Sequence, residues 1–307
     1  MAALSQGHVN AVPTERERLA AGFDEIADDY ARHRPTYPDA LVDAACAIGD
    51  LRPGSRVLEV GCGTGQLTRS LVARGLAIDA IDRGANMIRV ARRAVGAAVR
   101  FHVGRFEALD LPGGAFDAVF SAAAFHWVDP AVGWARAAQV LRPGGLLALL
   151  QYVSVRDERS DDAEQALFDA LARIAPEIAA GWPRPRDPAA LAAGVQERRG
   201  NVSEVWAFVG HHDVANPDAA GLFGDVRMTT AAVTHEHSAD EVAALLRTTS
   251  LVRRLGPERL AALEDENRRV FERFGGRLRW TDLAVLVTAS AARLEPRAVV
   301  GTRRRGV

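Results

Sequence analysis

From about residue 15 to 155 short apolar runs alternate with stretches whose apolar residues recur every three or four positions. "ALVDAACAIG", "QLTRSLVARG", "ANMIRVARRAV" and "PAVGWARAAQVL" carry the helical spacing, the second ending on Gly75. "RVLEV", "AIDAID", "VRFHVG", "FDAVFSA" and "LLALLQYV" read as buried strands, the last entered through the turn "RPGG". Strands that alternate with helices predict an α/β fold, a parallel sheet covered on both faces.

The pattern changes after 155. Region 156–224 holds helical pieces such as "DDAEQALFDALARI", the proline-rich "GWPRPRDP" and an isolated apolar patch, "VWAFVG". It reads as a cap or insertion. Candidate strands at 225–236 and 280–290 flank the helices "SADEVAALLRTTSLVRRL" and "GPERLAALEDENRRVFERFG" and complete the sheet. The resulting division is a flexible N-terminus (1–14), a core with a leader helix (15–155), the cap (156–224), the C-terminal part of the core (225–292) and a tail (293–307).

Composition narrows the chemistry. All 38 basic residues are arginine. Without lysine, Schiff-base enzymes, pyridoxal-phosphate enzymes and Walker-type phosphate loops are excluded. A net charge of −1 and no basic stripe argue against nucleic acid or an anionic membrane as partner. Two cysteines provide no disulfide framework, which fits a reducing, cytoplasmic setting. The N-terminus lacks a signal-peptide pattern, and no run of ~18 apolar residues is present to span a bilayer. His211, His212, His235 and His237 complete no known metal spacing, so no metal is expected.

The most informative stretch is "EVGCGTG" at 59–65. A strand that turns through glycines into a helix builds a ligand site at the carboxyl edge of the sheet. Gly61, Gly63 and Gly65 allow the backbone to approach the ligand. The spacing is G-x-G-x-G, not the dinucleotide G-x-G-x-x-G, and Gln66 stands where the third dinucleotide glycine would be. Glu59 would repel a diphosphate and suit a cationic amine. Asp82, closing "AIDAID", is placed to bind ribose hydroxyls. A ligand with a ribose and a positive charge but no phosphate describes S-adenosylmethionine.

"VLEVGCGTGQLT", "IDRGANMI" and "VLRPGGLLAL" resemble successive motifs of the class I S-adenosylmethionine-dependent methyltransferases. The resemblance covers residues 20–155 closely. It implies a Rossmann-like, seven-stranded, mostly parallel sheet with helices on both faces, an antiparallel C-terminal strand and a helical cap. It also implies that Glu59 and the backbone at Gly61 and Cys62 face the methionine end of the cofactor. Asp82 would hold the ribose and Met87 would pack on the adenine. Arg105 stands where the family usually carries an acid, so the backbone at Phe106 or the carboxylate of Glu107 would read the adenine amine instead.

"FDEIADDYARHRPTYP" resembles the leader helix of small-molecule methyltransferases related to the trans-aconitate methyltransferases and to quinone-type C-methyltransferases. That implies Tyr30 and Arg34 near the cofactor's carboxylate, a role that suits the arginine fork. "SAAAFHWVDP" follows the fourth strand, which implies Ala122 along the methionine chain. His126 could act as a general base on a hydroxyl acceptor, or simply pack the loop. Trp127 is a candidate wall of the acceptor pocket. "LLRTTS" resembles an element of the trans-aconitate-like branch, in which Arg247 and Ser250 share one helix face and would bind an anionic acceptor. Arg184 and Arg186 are further candidates of that kind. Trp182, Trp206 and Phe208 of the cap would shape an apolar acceptor pocket.

The expected activity is methyl transfer from S-adenosylmethionine to a small molecule, at a carboxylate or hydroxyl oxygen. C-methylation of a quinone-like or natural-product acceptor is the alternative. Rival readings are a non-catalytic S-adenosylmethionine-binding protein and a nicotinamide-dependent oxidoreductase.

Overall fold

The computed structural model describes residues 14–158 and 160–292. Residues 1–13 and the tail 293–307, both expected as loose ends, lie outside the described residues. The chain opens with α1 (Glu15–Gly22), a 3-10 turn (Phe23–Ile26), α2 (Ala27–His33) and α3 (Asp39–Ile48). Strands and helices then alternate through β1 (Arg56–Val60), α4 (Gln66–Ala73), β2 (Ala77–Asp82), α5 (Ala85–Val95), β3 (Val99–Val103), β4 (Phe116–Ala122), α6 (Pro130–Val140) and β5 (Leu141–Ser154). Helices α7 (Asp161–Ile174), α8 (Pro176–Ala179), α9 (Pro188–Arg198) and α10 (Val202–Gly210) precede β6 (Phe223–Ser238). The chain continues through α11 (Ala239–Arg247) and α12 (Pro257–Arg273) to β7 (Arg277–Ala291).

The seven strands form one sheet in the order β3-β2-β1-β4-β5-β7-β6. Strands β1 to β5 run parallel, and β7 is antiparallel to both β5 and β6. The side-chain period of two sends each strand's apolar residues to both faces. One face presents Leu58, Val119, Leu147, Leu149, Val285 and Val287 to α6, α9 and α10. The other presents Val57, Ala118, Phe120, Ala148, Leu150 and Leu286 to α3, α4 and α5. This double coverage is why the strands read as continuous apolar runs.

Segment 156–224 divides into two physical parts. The apolar patch "VWAFVG" is α10, capped by Asn201, whose side chain accepts the Ser203 N–H. Val202, Val205, Trp206 and Val209 of α10 lie in the sheet core with Leu191 and Val195 of α9. Segment α7–α8 packs instead with Val252, Leu255 and Leu263, beside α11 and α12. Among the described residues no helix is long and apolar enough to cross a membrane.

Candidate functional site

Strand β1 has β2 on one side and β4 on the other, so the chain reverses its order of strand addition beside β1. Ligands of open α/β sheets bind in the crevice outside the strand ends at such a point. The loops after β1 and β4 meet here. A Cβ on Gly61 would lie 2.3 Å from the Cβ of Ala124. The N–H groups of Gly61 and Cys62 donate to the carbonyl of Ile81 at 2.8 and 2.9 Å, which ties the loop to β2. Asp82 closes the other side: its carboxylate accepts the N–H of Gly63 at 2.9 Å and that of Gly84 at 2.8 Å. Burial pushes the Asp82 carboxyl up from its ordinary value, and these two bonds oppose the shift. Each oxygen keeps a lone pair for a further donor such as a hydroxyl.

Glu59 is 1% exposed. Its Oε2 has no hydrogen-bond partner among the described residues. Burial pushes the carboxyl up to about 8, opposed by the nearby Thr68 hydroxyl and reinforced by the Asp82 charge. A buried carboxylate without a cation is costly. The same cavity, of about 820 Å3, is lined by four more side chains with unpartnered buried atoms: Arg34 Nε, Gln66 Nε2, His126 Nδ1 and Gln151 Nε2. Natively folded proteins leave few such groups unpaired. Five of the ten such atoms among the described residues belong to residues that line this one cavity, where a polar ligand would complete their bonding. The donor set fits an α-amino acid: the free Glu59 oxygen would accept from an amine, and the free N–H groups of Arg34 and Gln66 would donate to a carboxylate.

The leader covers this crevice. Asp24 accepts the N–H groups of Asn86 and Met87 at 2.7 and 3.0 Å, which fastens the 3-10 turn to the start of α5. Arg16 donates to the carbonyl of Asp213 at 2.7 Å, and Arg253 donates to that of Gly22. Tyr30 meets Phe23 edge-on at 5.8 Å, and Phe23 meets Trp127 at 5.7 Å. Arg34 lies over the Tyr30 ring at 5.1 Å, and its Nη2 donates to the Thr248 carbonyl at 2.7 Å. One edge of its guanidinium is therefore held while Nε stays free.

Of the residues singled out in the sequence, Tyr30, Arg34, Glu59, Gly61, Cys62 and Gly63 line the cavity. So do Asp82, Met87, Phe106, Glu107, Ala122, His126, Trp127 and Ser250. Glu107 is already engaged, since its Oε1 accepts the Asp129 N–H at 2.9 Å. Arg105, in the acid's place, pairs with Glu17 of α1. Gly65 is not in the lining; it caps α4 and packs on Ala91 of α5. Arg247 is a correction. It forks onto Glu264 of α12 at 2.7 and 2.6 Å and lines no part of the cavity. The shared helix face with Ser250 ends because α11 stops at Arg247. Trp206 and Phe208 are corrected too. Trp206 is fully buried in the sheet core, and Phe208 is stacked by Arg186 and Arg198. Trp182, Arg184 and Arg186 do reach the cavity.

His126 stacks on His212 with ring centroids 3.9 Å apart and planes 19° apart. Burial, then the neighbouring His212, drives the His126 imidazole well below its ordinary value. Burial, then His211, lowers His212 to about 4. Both rings are neutral at pH 7. Asp24, Gln151 and His212 were not picked out as site residues from the sequence. Gln151 had a legible signal, a lone amide in the apolar run "LLALLQYV" at the carboxyl end of a strand. His235 and His237 stack at 5.5 Å on β6 and also line the cavity. Among the described residues no group of three or more His, Cys, Asp or Glu is placed to hold a metal.

Residues 58–149 match a family model described as a methyltransferase domain. An uncharacterized methyltransferase of Mycobacterium tuberculosis (strain H37Rv) is 40% identical over 144 residues, 47% of this chain and 56% of the relative. A malonyl-[acyl-carrier protein] O-methyltransferase of Enterobacter lignolyticus is 34% identical over 137 residues, 44% of this chain and 54% of the relative. The chain spans about half the length of these curated relatives. Among solved structures, a putative type II methyltransferase from Anaeromyxobacter dehalogenans aligns with a TM-score of 0.56 at 24% identity, over 86% of this chain and 99% of that one. The seven-stranded sheet is thus the Rossmann-like methyltransferase fold, and the matched segment runs from β1 to β5, across the crevice just described.

Proposed function

We propose that the protein is an S-adenosylmethionine-dependent methyltransferase that acts on a small molecule, transferring the methyl group to a carboxylate or hydroxyl oxygen. The observation that carries the reading is Glu59, a buried carboxylate with a free oxygen beside a glycine loop. A cationic amine would let it ionise, whereas a pyrophosphate brings no cation and would repel the ionised form. The malonyl-[acyl-carrier protein] O-methyltransferase relative supports oxygen as the receiving atom.

When bound, the cofactor supplies an electrophilic methyl group on a sulfonium sulfur. The chain supplies position and a dry enclosure. Glu59 and Arg34 hold the two ends of an α-amino acid, and Asp82 takes ribose hydroxyls. The leader, pinned by Asp24 and Arg16, excludes water. Holding reactants aligned contributes roughly 7–11 kcal/mol of the barrier. The cavity of about 820 Å3 leaves room for an acceptor beside a cofactor, between Trp127, Trp182 and Ser250.

The test is calorimetric titration with S-adenosylhomocysteine and with NADH, followed by transfer of labelled methyl from S-adenosylmethionine. Binding of NADH alone would sink the reading. Binding of S-adenosylhomocysteine with no transfer to any acceptor in a broad screen would favour the non-catalytic alternative.

Two substitutions refine it. His126 is neutral and weakly basic, and a carboxylate acceptor needs no base. His126→Ala is therefore expected to slow turnover less than ~10-fold, against the ~10²–10⁴-fold of a true general base. A larger loss in kcat would move the acceptor to a hydroxyl. Arg247→Ala is expected to leave kcat/KM unchanged and to lower stability by less than ~1 kcal/mol, as for exposed ion pairs. A tenfold drop in kcat/KM would put Arg247 back in the acceptor site.

A further inference from the structure

The unpartnered groups of the cavity divide by position. Glu59 and Gln66 flank the glycine loop, and Arg34 descends from the leader. All three suit the amino acid end of the cofactor. Gln151 does not belong with them. It follows Leu150 in β5, whose register partner is Ala122 of β4, so it stands two strands away from β1. It is 5% exposed.

Its bonding leaves one polarity open. Gln151 Oε1 lies 3.3 Å from His212 Nε2. With the amide oxygen placed toward His212, it accepts from a proton on Nε2, the tautomer that this arrangement assigns. The Gln151 amide nitrogen, with two N–H donors, is buried and has no partner among the described residues, and Gln151 is one of the residues that line the cavity. A buried donor is costly to leave unmade. Next to it the stacked His212–His126 pair is neutral, and the charges that reach His126 are those of Arg16 and Arg34, both positive. This wall therefore offers the Gln151 amide N–H as a free donor beside two neutral rings, which suits an anionic oxygen.

We propose that Gln151 binds a carboxylate oxygen of the methyl acceptor, and that the acceptor is a carboxylic acid. This rests on the methyltransferase reading and narrows it. The second carboxylate oxygen takes the methyl group: the oxygen–carbon bond forms as the sulfur–carbon bond breaks. The sulfonium charge and the carboxylate charge are cancelled together, giving a methyl ester and a neutral thioether. No proton is transferred, which agrees with a neutral His126 beside the site. His212 acts through Gln151, as the residue that fixes which way the amide points.

The probe is a bacterial metabolite extract with methyl-labelled S-adenosylmethionine. Methyl esters release their label as methanol in mild alkali, whereas methyl ethers, methylamines and C-methyl products keep it. The expected result is alkali-labile label. Gln151→Glu should lower its formation ~10–100-fold, the range for a hydrogen bond to a charged group, with S-adenosylhomocysteine affinity within twofold of the wild type. Gln151→Asn, which keeps the donor on a shorter arm, should retain more activity than Gln151→Glu. Alkali-stable label, or undiminished transfer by Gln151→Glu, overturns the proposal; the latter would mean that the amide oxygen, not the nitrogen, faces the acceptor. A wild type that binds S-adenosylhomocysteine but labels nothing overturns it as well. A wild type that binds no S-adenosylhomocysteine overturns the methyltransferase reading beneath it.

Discussion

Replacing Glu59 with glutamine should make the unliganded protein more stable in alkali and at the same time nearly abolish cofactor binding. The two effects share one cause. In the folded chain burial raises the Glu59 carboxyl from 4.5 to about 8. The native state therefore holds a proton that the unfolded state releases, and stability falls as pH rises through that interval. Below about pH 4.5 the penalty is absent; above pH 8 it is complete, on the order of 5 kcal/mol for such a displacement. The amide of the variant would carry no charge to bury. The melting-temperature advantage of Glu59→Gln should thus open above about pH 5 and level off above pH 8.

Binding runs the other way. A ligand ammonium group supplies the cation that the buried carboxylate lacks, so wild-type binding should tighten toward pH 8 and release a proton. Calorimetry in two buffers of different ionisation heat would count that proton. Removing one partner of a buried pair costs about 3–5 kcal/mol, so S-adenosylhomocysteine should bind Glu59→Gln some ~10²–10⁴-fold more weakly. If the variant were no more stable at pH 9 than the wild type, the buried-carboxylate account would fail. If it bound the ligand normally, Glu59 would not be the amine's partner.

Why the role of Glu59 was legible and that of Gln151 was not, although its lone amide stood out, follows from the kind of information each carries. Glu59 belongs to a local pattern, a strand, three glycines and a helix, in which the backbone path fixes the neighbours. Asp82 lies one strand over, and parallel register places Glu59 opposite Ala80 with the loop just above. Core faces were similarly readable, since apolar residues at successive positions of β4 and β5 can only be buried on both sides. The meaning of Gln151 depends on His212, 61 residues away, and on the stacking of two imidazoles from different loops. No periodicity encodes that. Arg247 failed for the opposite reason. Its local spacing with Ser250 was sound for a continuous helix, but Glu264 on α12 captured the guanidinium and α11 ended there. Trp206 was misplaced because an apolar patch outside the alternating core looks like a cap until α10 is seen to cover β5, β6 and β7.

The second large effect separates two glycines that look equivalent in "EVGCGTG". Gly61→Ala should disrupt both fold and site, while Gly63→Ala should disturb mainly the site. At Gly61 φ is +71° and an added Cβ would stand 2.3 Å from that of Ala124. Neither side can yield easily. Gly61 and Cys62 are bonded to Ile81, and the preceding Val60 carbonyl accepts the hydroxyl of Ser121 on β4 at 2.7 Å. Overpacking of this kind costs about 1–3 kcal/mol, and left-handed backbone adds roughly 1–2 kcal/mol. A loss on the order of 2–5 kcal/mol is expected in urea unfolding. At Gly63 φ is +54°, but the nearest atom to an added Cβ is on the Tyr30 ring at 4.0 Å, across the cavity. Only the backbone term of roughly 1–2 kcal/mol remains. The methyl group would instead occupy ligand space between the loop and Tyr30, so S-adenosylhomocysteine affinity should fall at least ~10-fold with the fold intact. Equal destabilisation of the two variants would mean that the loops after β1 and β4 are not locked together. Normal ligand affinity in Gly63→Ala would move the cofactor away from the face that Tyr30 covers.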